Sequence, residues 1–200
     1  LRKKGADTYG VEINTKTANA GLRAGLNIFV GFLEDAQYPD DLFDFVHLGD
    51  ILEHVTSPRN LLKECRRILK PGGVVIIRTL NMDCFWGTTT LLFYRLFRIP
   101  WSAVTPPHHL HFFSWKNMNM LVSQESFQLD YHQFELPPTL MYELGSLHLW
   151  KRYKKNKNLW NLFYMMFAFS LYVVFWVLDR LLTPLKSKDN EVLAMYRKIS

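Results

Sequence analysis

The pattern of apolar and polar positions predicts a strand–helix–strand unit in the middle of the chain. Residues 43–48 form a short run typical of a buried strand. A polar stretch follows, and then Ser57, which suits an N-cap, and Pro58 at the first helical position. Residues 70–73 (KPGG) are expected to end the helix and turn the chain into a second strand at 74–77. Leu61, Leu62, Cys65, Ile68 and Leu69 recur at helical spacing and define the apolar helix face.

Similar patterns place further elements on both sides of this unit. Asn14 and Ser114 have side chains that cap helices, and Gly25 suits a helix end. Strands are predicted at 8–13, 27–31, 127–132 and 190–198, and helices at 15–24, at 83–98 and after Ser114. Strands that alternate with helices predict an α/β fold with a largely parallel sheet.

Composition narrows the class of protein. The chain has 200 residues, of which 48% are hydrophobic and 21% charged, and this suits one globular domain with a sizeable core. Cys65 and Cys84 are the two cysteines, so the sequence has neither a disulfide framework nor the cysteine spacing of a zinc site, in keeping with a reducing, cytoplasmic setting. Cys65 lies on the apolar helix face and is expected to be a core residue.

An uncharged apolar stretch at 159–178 follows a basic cluster at 151–157. By length the stretch could span a bilayer. A strand at 190–198 that pairs within the sheet would need the chain to return to the side it left, and one span does not allow this. The alternatives are a helix at a membrane interface, burial against protein, or a true span with no last strand. We expect membrane association without full crossing, with the basic cluster contacting anionic lipid or forming a solvated linker.

Four sequence pieces, in order, resemble the class I S-adenosylmethionine-dependent methyltransferases. They are FD at 43–44, LEHV at 52–55, Pro58 and RILKPGG at 67–73. The likeness is closest to the small-molecule branch that includes the ubiquinone-biosynthesis O-methyltransferases. It implies a Rossmann-like sheet, mostly parallel, with an antiparallel last strand.

The resemblance also sets expectations for domain organisation. The family's first strand and its Gly-rich turn have no counterpart here, so the sequence is expected to be N-terminally truncated. The methyltransferase core is assigned to residues 1–136 and its last strand to 189–200. A hydrophobic helical insertion is assigned to 137–188.

By the same resemblance, side chains after successive strands bind S-adenosylmethionine. Glu12 matches the ligand of the ribose hydroxyls, although a surface carboxylate at a strand end is the plainer alternative. Asp35 matches the residue that bonds the adenine amino group, and Ala36 or Leu33 would lie against the adenine ring. Leu48 and Asp50, at the end of the next strand, complete the expected cofactor set.

A histidine-rich loop, HHLHFFS at 108–114, fits a family pattern that borders the acceptor pocket. His109 or His111 is the expected general base, since the unperturbed pKa of histidine lies near 6.5. His54 would line the pocket. In some quinone O-methyltransferases an acidic pair and a histidine bind a divalent metal, and Asp50, Glu53 and His54 match them. We nevertheless expect no metal here, because hydrogen bonds from Glu53 and His54 to backbone would explain these residues equally well.

These observations favour methyl transfer to a small, hydrophobic acceptor, with O-methylation preferred and no nucleic-acid partner. The alternative is a degenerate methyltransferase fold that serves as a binding or scaffold protein. A nucleotide-sugar or NAD enzyme has a similar sheet, but does not require the motifs at 52–55 and 69–73.

Overall fold

The structure is a computed structural model that describes residues 5–98, 104, 107–135, 159–182 and 191–199. The strands in this part are β1 (Tyr9–Glu12), β2 (Asn27–Val30), β3 (Phe43–Gly49), β4 (Leu69–Leu80), β5 (Phe127–Glu135) and β6 (Glu191–Lys198). The α-helices are α1 (Thr15–Arg23), α2 (Pro58–Ile68), α3 (Phe85–Phe97), α4 (Trp115–Gln124) and α5 (Leu159–Leu182).

The strands form two sheets. β1 and β2 pair in parallel, and the larger sheet has the order β3-β4-β6-β5. β3 and β4 are parallel, whereas β6 runs antiparallel to both β4 and β5. The Rossmann-like α/β prediction and the antiparallel last strand are therefore confirmed.

Aromatic rings connect the two sheets near the amino ends of β1 and β3. Phe43 meets Tyr9 and Tyr38 edge-on, with ring centroids 5.6 and 5.1 Å apart. Within the described residues, no strand pairs with β1 on the side opposite β2, or with β3 on the side opposite β4.

Helix α2 forms because its amino end is capped and one face is apolar. Ser57 Oγ accepts the N–H of Asn60, and Pro58 takes the first helical position, where no N–H is needed. Leu62 and Cys65 are fully buried, and Leu61 and Ile68 nearly so. Burial of each large apolar side chain contributes about 1.5–3 kcal/mol, so this face secures the helix to the sheet. The predicted helix and its buried face are confirmed.

The prediction that the KPGG stretch turns the chain before a new strand is wrong in one respect. β4 already begins at Leu69, which pairs with Phe43, and the next pairing is Val74 with Phe45. The partner positions are two residues apart on β3 but five apart on β4, so residues 70–73 form a bulge within the strand. Gly72 has φ = +75°, a conformation that favours glycine.

β6 lies in the middle of the larger sheet, although it comes last in the chain. Its side chains alternate, with Val192, Ala194 and Tyr196 buried. They join one core with residues of α2, α4, β4 and β5, among them Phe127 and Met118. The prediction of a final antiparallel strand thus identified a major part of the core.

The predicted apolar segment forms helix α5, which packs against α3. Several of its large side chains are exposed, including Trp160 (80%), Phe163 (64%) and Leu181 (70%). A search of the described residues finds no helix with both the length and the apolarity needed for a membrane crossing. The basic cluster at 151–157 and the rest of the predicted insertion on either side of α5 lie outside the described residues.

Candidate functional site

Glu12 ends β1 with its carboxylate held in place. Its Oε1 accepts the N–H of Asn14 at 2.7 Å, and the Asn14 side chain accepts the N–H groups of Lys16 and Thr17 at the start of α1. The sequence places Glu12 there because the strand must end before the Asn14 cap. A half-buried carboxylate at this edge of a parallel sheet has the acceptor chemistry that ribose hydroxyls require.

Asp35 and Ala36 lie together after β2, on a short 3-10 helix, Glu34–Ala36. Asp35 is exposed, whereas Ala36 is half-buried. The preceding Leu33 packs against the hydrophobic core. The two predicted adenine-contacting positions therefore follow a strand, at the same edge of the sheet as Glu12.

Leu48 and Asp50, at the end of β3, differ in their surroundings. Leu48 is 6% exposed, packs in the core and pairs with Ile77 of β4. Asp50 has φ = +54°, and its N–H donates to the carbonyl of Arg78 at 2.9 Å. The Arg78 guanidinium donates to the Asp50 carboxylate, and this pair links the ends of β3 and β4.

Glu53 connects the sheet with the histidine-rich loop. Its Oε2 accepts the hydroxyl proton of the buried Thr79 at 2.8 Å. Its carbonyl accepts the N–H groups of Leu110 and His111 at 2.9 and 3.1 Å. Sequence reasoning did not select Thr79, and the only signal was a hydroxyl that follows the apolar run at 74–77 and Arg78 near the end of the strand.

Two histidines complete the connection between residues 53–55 and the loop. His54 Nδ1 lies 2.7 Å from the carbonyl oxygen of His108, and His111 Nε2 lies 3.0 Å from that of Val55. Since a carbonyl can only accept, both ring nitrogens carry a proton. In the neutral rings the lone pair therefore lies on His54 Nε2 and His111 Nδ1. His54 is exposed, whereas His111 is half-buried.

His109, from the same loop, packs beside His54. Its ring centroid lies 4.6 Å from that of His54, and the side chain is half-buried. One ligand atom from each of Glu53, His54 and His109 lies within 4.8 Å of the other two. The sequence showed no acidic residue next to the histidine loop, because Glu53 reaches it only through the tertiary fold. The structure thus brings together all three predicted catalytic histidines, His54, His109 and His111.

Asn81 shapes the neighbouring edge of the site. It is 1% exposed, and its Oδ1 accepts the N–H groups of Asp83 and Trp115 at 3.2 Å. The N–H of Met82 donates to the carbonyl of Phe113. These bonds fix the start of α4 beside the end of β4, so this part of the predicted acceptor side is held rigidly.

Cys65 is a core residue, as predicted. It is fully buried, and burial, aided by the nearby charge of Glu64, raises the pKa of its thiol well above the usual value. The thiol therefore stays protonated and takes no part in the chemistry.

Comparison with known proteins places the chain among methyltransferases. Residues 1–132 match the profile of a family described as a methyltransferase domain. A ubiquinone biosynthesis O-methyltransferase from Colwellia psychrerythraea is 32% identical over 88 residues, which cover 40% of this chain and 36% of that enzyme. The matched segment is thus well under half of the relative's length.

Solved structures agree in fold. A SAM-dependent methyltransferase from Thermotoga maritima superposes with a TM-score of 0.59 at 17% identity, covering 96% of this chain and 72% of that one. Phosphoethanolamine N-methyltransferase 2 from Haemonchus contortus, solved in complex with S-adenosyl-L-methionine, gives 0.56 at 15% identity, covering 97% and 44%. At these identities the likeness supports the fold alone.

Proposed function

Because the chain belongs to the methyltransferase domain family, we propose that the protein transfers a methyl group from S-adenosylmethionine to a hydroxyl of a small, hydrophobic acceptor. The observation that carries this proposal is the meeting of His54, His109 and His111 beside the carboxyl ends of β3 and β4. In open α/β sheets, ligands bind at that edge. S-adenosylmethionine supplies an electrophilic methyl group, and the protein has to orient the acceptor and remove its proton.

The cofactor-binding residues in this proposal are Glu12, Asp35, Ala36, Leu48 and Asp50. The Glu12 carboxylate is already oriented by Asn14, and it would accept the ribose hydroxyls. Asp35 and Ala36 follow the neighbouring strand and would contact the adenine. Asp50 is turned toward Arg78, so it would act on the cofactor with Arg78 as part of one ion pair.

A histidine of the histidine-rich loop at 108–114 would take the acceptor's proton. The lone pair of His111 lies on Nδ1, because Nε2 donates to Val55. His109 is half-buried and stacks beside His54. Imidazole is the side-chain group most often used as a general base in catalysis. An amine acceptor in its neutral form needs less help from a base, so the paired histidines favour a hydroxyl acceptor.

An acceptor panel tests the proposal. The protein would be incubated with S-adenosylmethionine carrying a labelled methyl group and with matched hydrophobic phenols, alcohols and amines. We expect label in one or more hydroxyl compounds and little in the amines. Labelling of amines alone would contradict O-methylation. Cofactor binding with no transfer to any class would instead favour the degenerate binding protein.

We further propose that the protein acts in the cytoplasm at the inner face of a membrane. Residues 137–188 would form a helical insertion in a core made of 1–136 and 189–200. α5 exposes large apolar side chains along its length, and α3, which packs against it, exposes Leu92, Leu96 and Phe97. Five Lys or Arg residues lie at 151–157, just before α5, and each contributes roughly 1 kcal/mol near an anionic leaflet.

Vesicle flotation checks this part. We expect the protein to float with vesicles that contain anionic phospholipid, and less with neutral ones. Phe163→Ser with Phe167→Ser, which removes two exposed rings of α5, should reduce flotation, whereas Tyr131→Ser, an exposed ring on β5, should not. A protein that stays at the bottom with both lipids would contradict membrane association.

A further inference from the structure

A buried carboxylate, that of Glu53, lies beside two imidazoles at the site. Glu53 is 2% exposed, and no Lys or Arg in the described ranges forms a salt bridge with it. The neutral hydroxyl of Thr79 donates to it. Buried charges in proteins are normally paired or bound to a metal ion. The nearby ligand atoms of His54 and His109 are therefore the groups to consider.

We infer that Glu53, His54 and His109 bind one divalent transition-metal ion. Two imidazole nitrogens and one carboxylate oxygen suit ions such as Zn²⁺, Co²⁺, Mn²⁺ or Fe²⁺, whereas Mg²⁺ prefers oxygen ligands throughout. The three ligand atoms lie within 4.8 Å of one another. Ligands at ~2.0–2.1 Å from a tetrahedral ion are about 3.3 Å apart, so the ligand atoms would have to move together by at most ~1.5 Å to hold one.

The surroundings of the cluster also suit a metal. His54 Nδ1 donates to the carbonyl of His108, and this bond leaves the lone pair on Nε2. Metal-bound histidines usually donate their other ring N–H to a carbonyl or carboxylate in this way. The Thr79 hydroxyl donates to Glu53 and fixes the orientation of that carboxylate. Bonds from outside the cluster therefore orient both His54 and Glu53.

The ligand set differs from the one that sequence resemblance indicates. That comparison matched Asp50, Glu53 and His54 to an acidic pair and a histidine. Here Asp50 is paired with Arg78, and His109 from another loop takes the third place. The inference deepens the proposed function of this site: the ion would supply Lewis acidity toward an acceptor oxygen. His109 would then be a ligand, and His111 would be the remaining candidate base.

Titration with Co²⁺ by calorimetry and visible absorption tests the inference on the whole protein. We expect the wild type to bind one Co²⁺ per chain. His109→Gln should weaken binding by ~100-fold or more, since even loss of an outer partner of a ligand costs 10–100-fold. Asp50→Asn should bind as the wild type does. So should His47→Gln, which removes an exposed imidazole on β3 and controls for nonspecific binding.

Three results would overturn the inference: no Co²⁺ bound by the wild type, unchanged affinity in His109→Gln, or loss of binding in Asp50→Asn instead. Circular dichroism of each metal-free variant shows whether it is folded, and His109→Ala provides a second variant at the same position. The titration contains neither S-adenosylmethionine nor an acceptor. A protein that fails to transfer methyl groups therefore leaves this result unaffected, and failure to bind Co²⁺ leaves methyl transfer open.

Discussion

The four-stranded sheet and the β1–α1–β2 unit differ sharply in how well they are packed. In the first region, side chains from β3, α2, β4, α4, β5 and β6 form one buried core, with Leu62 and Ile77 fully covered. In the second, Ala18 is the only described residue whose side chain is buried. The apolar side chains of Ile13 and Phe32 are more than 60% exposed. Two-stranded sheets are marginal by themselves. The proposed catalytic histidines are thus held by the rigid region, whereas Glu12 and Asp35 belong to the weakly packed one.

The largest expected effect is on global stability. Leu62→Ala removes a fully buried side chain from α2 and should lower the free energy of unfolding by about 2–5 kcal/mol. The matched change Leu22→Ala, on the 42% exposed side chain of α1, should cost less than about 1 kcal/mol. Urea unfolding of both variants measures the difference. Equal losses would show that the two regions are packed alike.

The next expected effect is on turnover, and it concerns the histidines held by the four-stranded sheet. A double variant, His109→Gln with His111→Gln, should lower turnover by about 10²-fold or more, because the candidate bases are lost. The affinity for S-adenosylmethionine should stay near the wild-type value, since neither histidine belongs to the proposed cofactor-binding set. Steady-state kinetics and calorimetry give the two quantities. Full turnover at neutral pH would remove both histidines from catalysis.

A smaller effect is expected on the cofactor side of the comparison. Glu12→Ala should weaken S-adenosylmethionine binding by ~1.5–3 kcal/mol, which is the usual strength of hydrogen bonds to a charged group. Asp44→Ala is the control, because it removes an exposed carboxylate at the opposite end of β3. Calorimetry compares them. Equal affinity in the wild type and Glu12→Ala would exclude Glu12 from the site.

The smallest expected effect is on helix stability, and it compares one N-cap from each region. Ser57→Ala and Asn14→Ala each remove an N-cap and should each destabilise a helix by about 1 kcal/mol. For Ser57→Ala the loss should appear in global unfolding, because α2 belongs to the main core. For Asn14→Ala it should appear as faster local hydrogen exchange in α1, with little change in the global midpoint. A global loss from Asn14→Ala would mean that the unit unfolds together with the larger sheet.

Much of the fold could be predicted from local patterns. The caps Asn14, Ser57 and Ser114 marked helix starts correctly, and the apolar spacing in α2 identified its buried face. The bulge at residues 70–73 could not be predicted, because proline and glycine indicate a turn equally well. The pairing of Leu69 with Phe43 is what extends the strand through them.

The site was less accessible to sequence reasoning. The positions of His54, His109 and His111 followed from motifs, but their meeting depends on hydrogen bonds between loops 54 to 56 residues apart. The roles of Thr79 and Arg78 depend on the register between β3 and β4, which brings Gly49 opposite Arg78. No local pattern records that register. The choice of Arg78 as the partner of Asp50 was therefore visible only in three dimensions.

Hydrogen exchange with and without S-adenosylmethionine tests the central claim most directly, namely that the cofactor binds across the weakly packed unit. We expect saturating cofactor to slow amide exchange in β1 and in the Glu34–Ala36 turn, and we expect this protection to be much reduced in Glu12→Ala at the same concentration. Protection confined to the four-stranded sheet, or an equal pattern in Glu12→Ala, would contradict it.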